Sequence, residues 1–256
     1  MSKNILEKII IKKKLELEIY KINYQIKNLH EIIDNNNNKN IYLNFKEKIE
    51  QNIKNNKISI IAEIKKASPS AGIIIDNYDP LEIAKIYNLN KATCLSVLTE
   101  VDYFKGDSSH IAKIKVGEVK LPILCKDFFV DKWQIPFAKA HGADAILIIL
   151  AAVNDDVADE LYKEALKYNM SVIVEVHTID EAKKSLKYTD ALIGINNRNL
   201  KTLETDISAT YDIHRVLLDH KGPLISESGI KNKEDLLEIS SRTNIKTFLI
   251  GESISK

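Results

Sequence analysis

Eight short runs of apolar, β-branched residues recur along the chain, near 58–63, 94–99, 121–126, 144–150, 171–176, 191–196, 223–227 and 246–250. Charged stretches with helical periodicity separate them, as at Pro80 to Leu89, Asp155 to Tyr168, Asp206 to Leu218 and Lys231 to Ser240. Two of these stretches open on helix-start signals, Asp79-Pro80 and Asn154-Asp155. Strand then helix, repeated, implies a parallel sheet, and eight units imply its closure into a barrel. An open doubly wound sheet usually carries a Gly-rich phosphate fingerprint after its first strand, and none follows the run at 58–63. The expected fold class is therefore α/β, a (β/α)8 barrel. The 256 residues suit one such barrel, typically about 250 residues long.

Residues 1–55 precede the first strand and read as a helical extension, with 56–256 as the barrel. Leu6, Ile9, Ile10, Leu15 and Leu17 mark an amphipathic helix, and a second helical stretch runs near 42–54. The unbroken Asn35 to Asn38 reads as a loop. At the other end, strand eight closes at Ile250 and the chain stops at Lys256. The last outer helix is thus expected to be truncated, with strands one and eight partly uncovered.

The 37 basic and 36 acidic residues are spread along the chain. That excludes the strongly basic face of a nucleic-acid binder. The longest apolar run, Ala143 to Val153, carries Asp144 and is too short to span a bilayer. Glu7, Glu16 and Glu18 interrupt the N-terminus, which fits neither a secretory signal nor a mitochondrial presequence. A cytoplasmic location is the expectation. Cys94 and Cys125 sit inside strand runs and are expected to be reduced and buried, with Cys125 facing away from the barrel interior.

The chemistry concentrates in Ile61-Ala-Glu-Ile-Lys-Lys-Ala-Ser-Pro-Ser-Ala-Gly72. Glu63 and Lys65 are two residues apart on a strand, so both point to one face. Turn chemistry follows at once. A strand that delivers two opposite charges to its C-terminal end is how such barrels present catalytic groups. Lys126 ends the third run, and Glu175 stands in an otherwise apolar fifth run, where a carboxylate is costly unless paired or working. Further blocks are Leu95-Ser-Val-Leu-Thr-Glu100, Pro122-Ile-Leu-Cys-Lys-Asp-Phe128 and Gly142-Ala-Asp-Ala-Ile-Leu147. Val174-Glu-Val176, Ile193-Gly-Ile-Asn-Asn-Arg-Asn-Leu200, Ser226-Glu-Ser-Gly-Ile230 and Phe248-Leu-Ile-Gly-Glu252 complete the series.

In this order, the blocks resemble the indole-3-glycerol-phosphate synthase family of tryptophan biosynthesis. The resemblance implies a lyase acting on an anilino-carboxylate sugar phosphate, needing no metal or organic cofactor. It implies an N-terminal extension packed over the catalytic end. Lys126 becomes the general acid for ring closure, which near neutral pH requires a lowered pKa. Lys65 is the neighbouring cation expected to lower it, and also a substrate contact and acid in dehydration. Glu175 is the expected general base and Glu63 its partner. Asn196 is expected to bond substrate hydroxyl or carbonyl groups, and Arg198 to engage a carboxylate or orient Glu175. Ser68, Phe128 and Ser228 are expected substrate contacts, with Phe128 near the aromatic ring. The phosphate is expected between the loops after strands seven and eight, at Gly229, Gly251 and Glu252. Asn197 alternates away and reads as a turn residue. His177 falls past the strand end and, like His141 and His110, reads as loop or surface. The chain is expected to act as a monomer or weak oligomer on a small-molecule substrate, with no nucleic-acid or membrane partner. Two alternatives stay open: another phosphate-binding barrel such as phosphoribosylanthranilate isomerase, and an inactive or partner-dependent remnant.

Overall fold

A computed structural model of the chain describes residues 5–200 and 202–254, apart from the side chain of Glu252. Eight strands close a parallel barrel: β1 (Ser59–Ile64), β2 (Cys94–Leu98), β3 (Ile123–Lys126), β4 (Ala145–Ile149), β5 (Ser171–Val176), β6 (Leu192–Asn196), β7 (Leu224–Glu227) and β8 (Thr247–Ile250). Closure pairs Ile61 of β1 with Leu249 of β8. Seven helices follow the first seven strands: α4 (Pro80–Leu89), α5 (Ser109–Val116), α6 (Gln134–Ala140), α7 (Asp155–Lys167), α8 (Ile179–Ser185), α9 (Ser208–His214) and α10 (Lys233–Thr243). The two start signals work as read: Asp79 Oδ1 accepts from Leu81 N–H at 2.9 Å, and Asn154 Oδ1 from Val157 N–H at 2.9 Å.

Strand alternation divides the core in two. Ile61, Leu124, Leu147, Ile173 and Ile225 fill the barrel interior, while Val97, Ile123, Ile148, Val174 and Ile193 face the helix ring. Cys125 joins the outer core and Cys94 the inner one. Both are free and buried, and burial pushes both thiols up, Cys125 to about 12. They are inert where they sit.

Three helices precede the barrel: α1 (Ile5–Asn23), α2 (Ile26–Asn38) and α3 (Phe45–Lys54). Phe45 and Ile49 of α3 join the inner core and close the end of the barrel where the strands begin. α1 lies over the opposite end. It buries Ile9, Lys13 and Leu17, one turn apart, and leaves Leu15 exposed, so only part of the expected stripe is buried. Helix α2 was not foreseen, and the expected loop Asn35–Asn38 is its last turn. Leu29 and Ile33 bury against Phe137 and Ala140, and Asn36 Nδ2 donates to the Ala140 carbonyl at 3.0 Å. These tertiary contacts override the weak helix propensity of Asn.

After β8 the described residues form a short 3-10 turn, Glu252–Ile254. The expected uncovering of strands one and eight is slight. Phe248 and Ile250 of β8 and Ala62 and Ile64 of β1 are buried in the outer core that Tyr87 of α4 and Ile239 of α10 also enter, and Ile60 alone among the outward residues of these two strands is part-exposed.

Candidate active site

Glu63, Lys126, Glu175, Asn196 and Glu227 are the last or next-to-last residues of β1, β3, β5, β6 and β7. Alternation turns all five inward at the end of the barrel where the strands finish. There they meet. Lys126 Nζ lies 2.9 Å from Glu227 Oε2, 3.7 Å from Glu175 Oε2 and 3.9 Å from Glu63 Oε2. Lys65 Nζ is 2.5 Å from Glu63 Oε1. His177 Nε2 is 3.2 Å from Glu175 Oε1, and its Nδ1 is 3.4 Å from Glu181 Oε2. The Asn196 amide oxygen accepts from Arg198 N–H at 3.0 Å, while the rest of that side chain bonds Glu175. Above these groups opens a cavity of about 550 Å³. Ile5, Leu6 and Ile9 of α1 form part of its wall, as the expected placement of the N-terminal extension requires.

The charges set each other's protonation. Burial works against the Lys126 ammonium, but the Glu227, Glu175 and Glu63 carboxylates outweigh it and raise its pKa. The expectation of a lowered pKa is therefore corrected: Lys65 is spent on Glu63, and anions surround Lys126. Burial disfavours the Glu175 carboxylate, yet Lys126, His177 and Asn196 hold its pKa below the usual range. For Glu63, burial is likewise outweighed by Lys65 and Lys126, and its pKa falls. Glu227 goes the other way. Burial and the Glu175 charge push it up to about 7 against the pull of Lys126. Two neighbouring carboxylates pushed apart in this way can hold and release a proton near neutral pH. Burial lowers the His177 pKa, but Glu175 and Glu181 raise it to about 9, so the ring is an imidazolium at neutral pH.

Two of these residues were not assigned a role from the sequence. Glu227 is fully buried at the centre of the cluster. Its signal was Gly194 in mid-strand, a residue that marks close approach: a Cβ there would lie 2.1 Å from Glu227 Oε1. His177 is corrected from loop or surface, since its side chain is only 8% exposed. It follows Glu175 by two and so keeps the same face. Asn197 does alternate away, but it is a buried hub and not a plain turn residue. Its Nδ2 donates to Ser226 Oγ and the Ser228 carbonyl, and its Oδ1 accepts from Thr210 N–H and Oγ1. His110 stacks obliquely on Tyr78, and the His141 ring meets the Phe137 carbonyl, both outside the cavity lining.

The remaining expected residues lie around the rim. Ser68, Phe128, Arg198, Ser228, Gly229 and Gly251 all line the cavity. β6 ends at Asn196, and Arg198 Nη1 donates to the Leu203 carbonyl at 3.0 Å and to Ser70 Oγ at 3.3 Å. Its charge bears on Glu63. Ser228 and Gly229 have φ of 66° and 78°, which turns the backbone after β7 back toward the cavity. Gly251 is held to glycine by the catalytic end itself, because a Cβ there would meet Glu63 Oε1 at 2.5 Å. The expected contact from the Glu252 side chain lies outside the described residues.

A family model described as indole-3-glycerol phosphate synthase matches residues 6–256. Curated proteins called indole-3-glycerol phosphate synthase are similar over most of the chain. The one from Polynucleobacter asymbioticus is 38% identical over 255 residues, covering 99% of this chain and 94% of its own. The one from Zymomonas mobilis subsp. pomaceae is 41% identical over 200 residues, 78% and 75% of the two chains. Among solved structures, a phosphoribosylanthranilate isomerase from Thermotoga maritima superposes with a TM-score of 0.53 at 11% identity, over 77% of this chain and 88% of that one. The KGPDC of Streptococcus mutans gives 0.57 at 12% identity, over 78% and 90%. At such identities these two speak for the barrel alone.

Proposed function

The chain belongs to the indole-3-glycerol phosphate synthase family, and from that premise we propose how its strand-end charges divide the work of making an indole. The activity is that of a carboxy-lyase: it closes the indole ring of 1-(2-carboxyphenylamino)-1-deoxyribulose 5-phosphate with loss of carbon dioxide and water. Closure needs a proton donor at the carbonyl under attack, and dehydration needs an acid at the departing hydroxyl and a base for the ring proton.

Lys126 is the donor for closure. Its ammonium is charged in the empty cavity, and its acidity grows when a proton taken up by Glu227 removes the nearest counter-charge. Glu175, held ionised by Lys126 and His177, is the base. Lys65, seated on Glu63, protonates the departing hydroxyl. Asn196 and Arg198 bind the polar edge of the substrate, Phe128 its aromatic ring, and Ser68 a hydroxyl. The phosphate sits on the backbone N–H groups of Ser228, Gly229 and Gly251, with Glu252 at its margin, where glycine permits close approach. His177 is a positioning residue. Its backbone N–H donates to Glu181 Oε2 at 2.7 Å, and Thr178 caps α8, so the ring is tied to a helix start. Buried, reduced thiols fit a cytoplasmic location.

The observation that carries these assignments is one ammonium within 2.9–3.9 Å of carboxylates from three other strands. The test is Lys126→Met in a fluorescence assay of indole-glycerol phosphate formation. Turnover should fall roughly 10²–10⁴-fold, the usual share of a general acid. Near-normal turnover in a folded variant would remove Lys126 from the role.

A further inference from the structure

A second cavity, of about 570 Å³, lies at the other end of the barrel, between α2, the 39–44 segment and the C-terminal ends of α6 and α7. Lys139 of α6 is 5% exposed and lines it. Among the described residues its ammonium has no carboxylate partner. It rests on the Tyr42 ring, 3.6 Å from the centroid, while Tyr42 Oη–H donates to the Lys139 carbonyl at 2.8 Å and fixes that ring. Asp144, whose charge bears on Lys139, is already taken. Asp144 Oδ2 accepts from Lys115 Nζ at 2.7 Å and from Ile123 N–H at 2.8 Å, and its Oδ1 from Leu43 N–H at 2.6 Å.

A buried ammonium without a counter-charge is costly, and a ring face offsets only part of that cost. Burial, together with the like charge of Lys115, lowers the Lys139 pKa to about 8 despite the pull of Asp144. The other titratable groups facing the cavity are His30, whose Nε2 meets Tyr168 Oη at 2.8 Å, Lys167, which pairs with Glu164 at 2.7 Å, and Asp34. The walls also carry amide groups. Asn44 Oδ1 is committed to Glu47 N–H, which leaves its NH₂ group to donate, and Asn37 adds another amide. Against the one carboxylate, Asp34, stand an unpaired buried cation, Lys167 at the edge and amide donors, a balance that favours a small oxyanion over a cation or an apolar ligand.

We propose that this cavity binds a small oxyanion of the phosphate class, with Lys139 as its principal charge partner. The site is separate from the catalytic cavity and does not depend on the assignments made there. Inorganic phosphate is the probe, titrated into the full chain at pH 7 with the catalytic cavity saturated by indole-3-glycerol phosphate. Calorimetry should show one further site. Lys139→Met, an apolar side chain of similar length, should weaken it roughly tenfold or more, and Lys139→Arg should retain it. Neither change should alter turnover. A second measurement needs no variant: in protein labelled by reductive 13C-methylation, the Lys139 signal should titrate at a higher pH once phosphate is bound. Equal phosphate binding in the wild type and Lys139→Met, or a Lys139 signal indifferent to phosphate, would overturn the proposal.

Discussion

Both ends of this barrel bury a lysine against a carboxylate, and they use the pair in opposite ways. Where the strands begin, Lys115 meets Asp144, and the other oxygen contacts of Asp144 go to backbone N–H groups of Leu43 and Ile123. Where they finish, Lys126 answers to three carboxylates at once. There Glu227 Oε1 is buried without a hydrogen-bond partner, and both ring nitrogens of His177 face carboxylates without hydrogen-bond alignment. A buried network with every valence used is a clamp, joining the 39–44 segment to β3. One with capacity left over costs stability and has something to offer a substrate.

The comparison is broken or upheld first by exchanging the two lesions. Lys126→Met should cost turnover by the 10²–10⁴ given above. Asp144→Ala should instead leave Lys115 buried and unpaired, lowering the unfolding free energy by roughly 3–5 kcal/mol in denaturant titration. Turnover per folded molecule should stay near that of the wild type. A large loss of turnover in Asp144→Ala would mean that the two ends are not independent.

Gly194→Ala tests the crowding directly. The new methyl would occupy the place of Glu227 Oε1. Displacing that carboxylate by about 1 Å should cost roughly 10² in turnover, with KM less affected. Unchanged kinetics would show that Glu227 is not held where it works.

The clamp and the crowded site were not equally legible in the sequence. Strand number, order and inward alternation follow from short apolar runs with charged ends, so Glu63, Lys126, Glu175 and Asn196 could be placed together before any coordinates. Helix α2 could not, because its closing run Asn35 to Asn38 argues for a loop and only contacts with Phe137 and Ala140 decide otherwise. The direction of the Lys126 shift was missed for a similar reason. It depends on which of two lysines stands nearest which carboxylate, and that is fixed by side-chain geometry across four strands. Glu227 and His177 did leave signals, a glycine inside a strand and a period of two past a strand end. Both signals are weak until the partner residue is known.

His177 gives the finest test. Its folded pKa, about 9, lies above the ordinary 6.5, so its contribution to stability is full below about pH 6.5 and is lost as pH rises through about 9. His177→Asn removes that charge while keeping a polar side chain. The variant should be less stable than the wild type by on the order of 1–3 kcal/mol near pH 6, and the gap should close by pH 10. Loss of the imidazolium should also raise the Glu175 pKa, so the acid limb of the turnover profile should move to higher pH. A residue that merely filled space would give a stability gap independent of pH and an unmoved acid limb. That result would cut the chain of charges from Glu181 through His177 to Glu175, and leave Lys126 and Asn196 alone to hold the base in its ionised form.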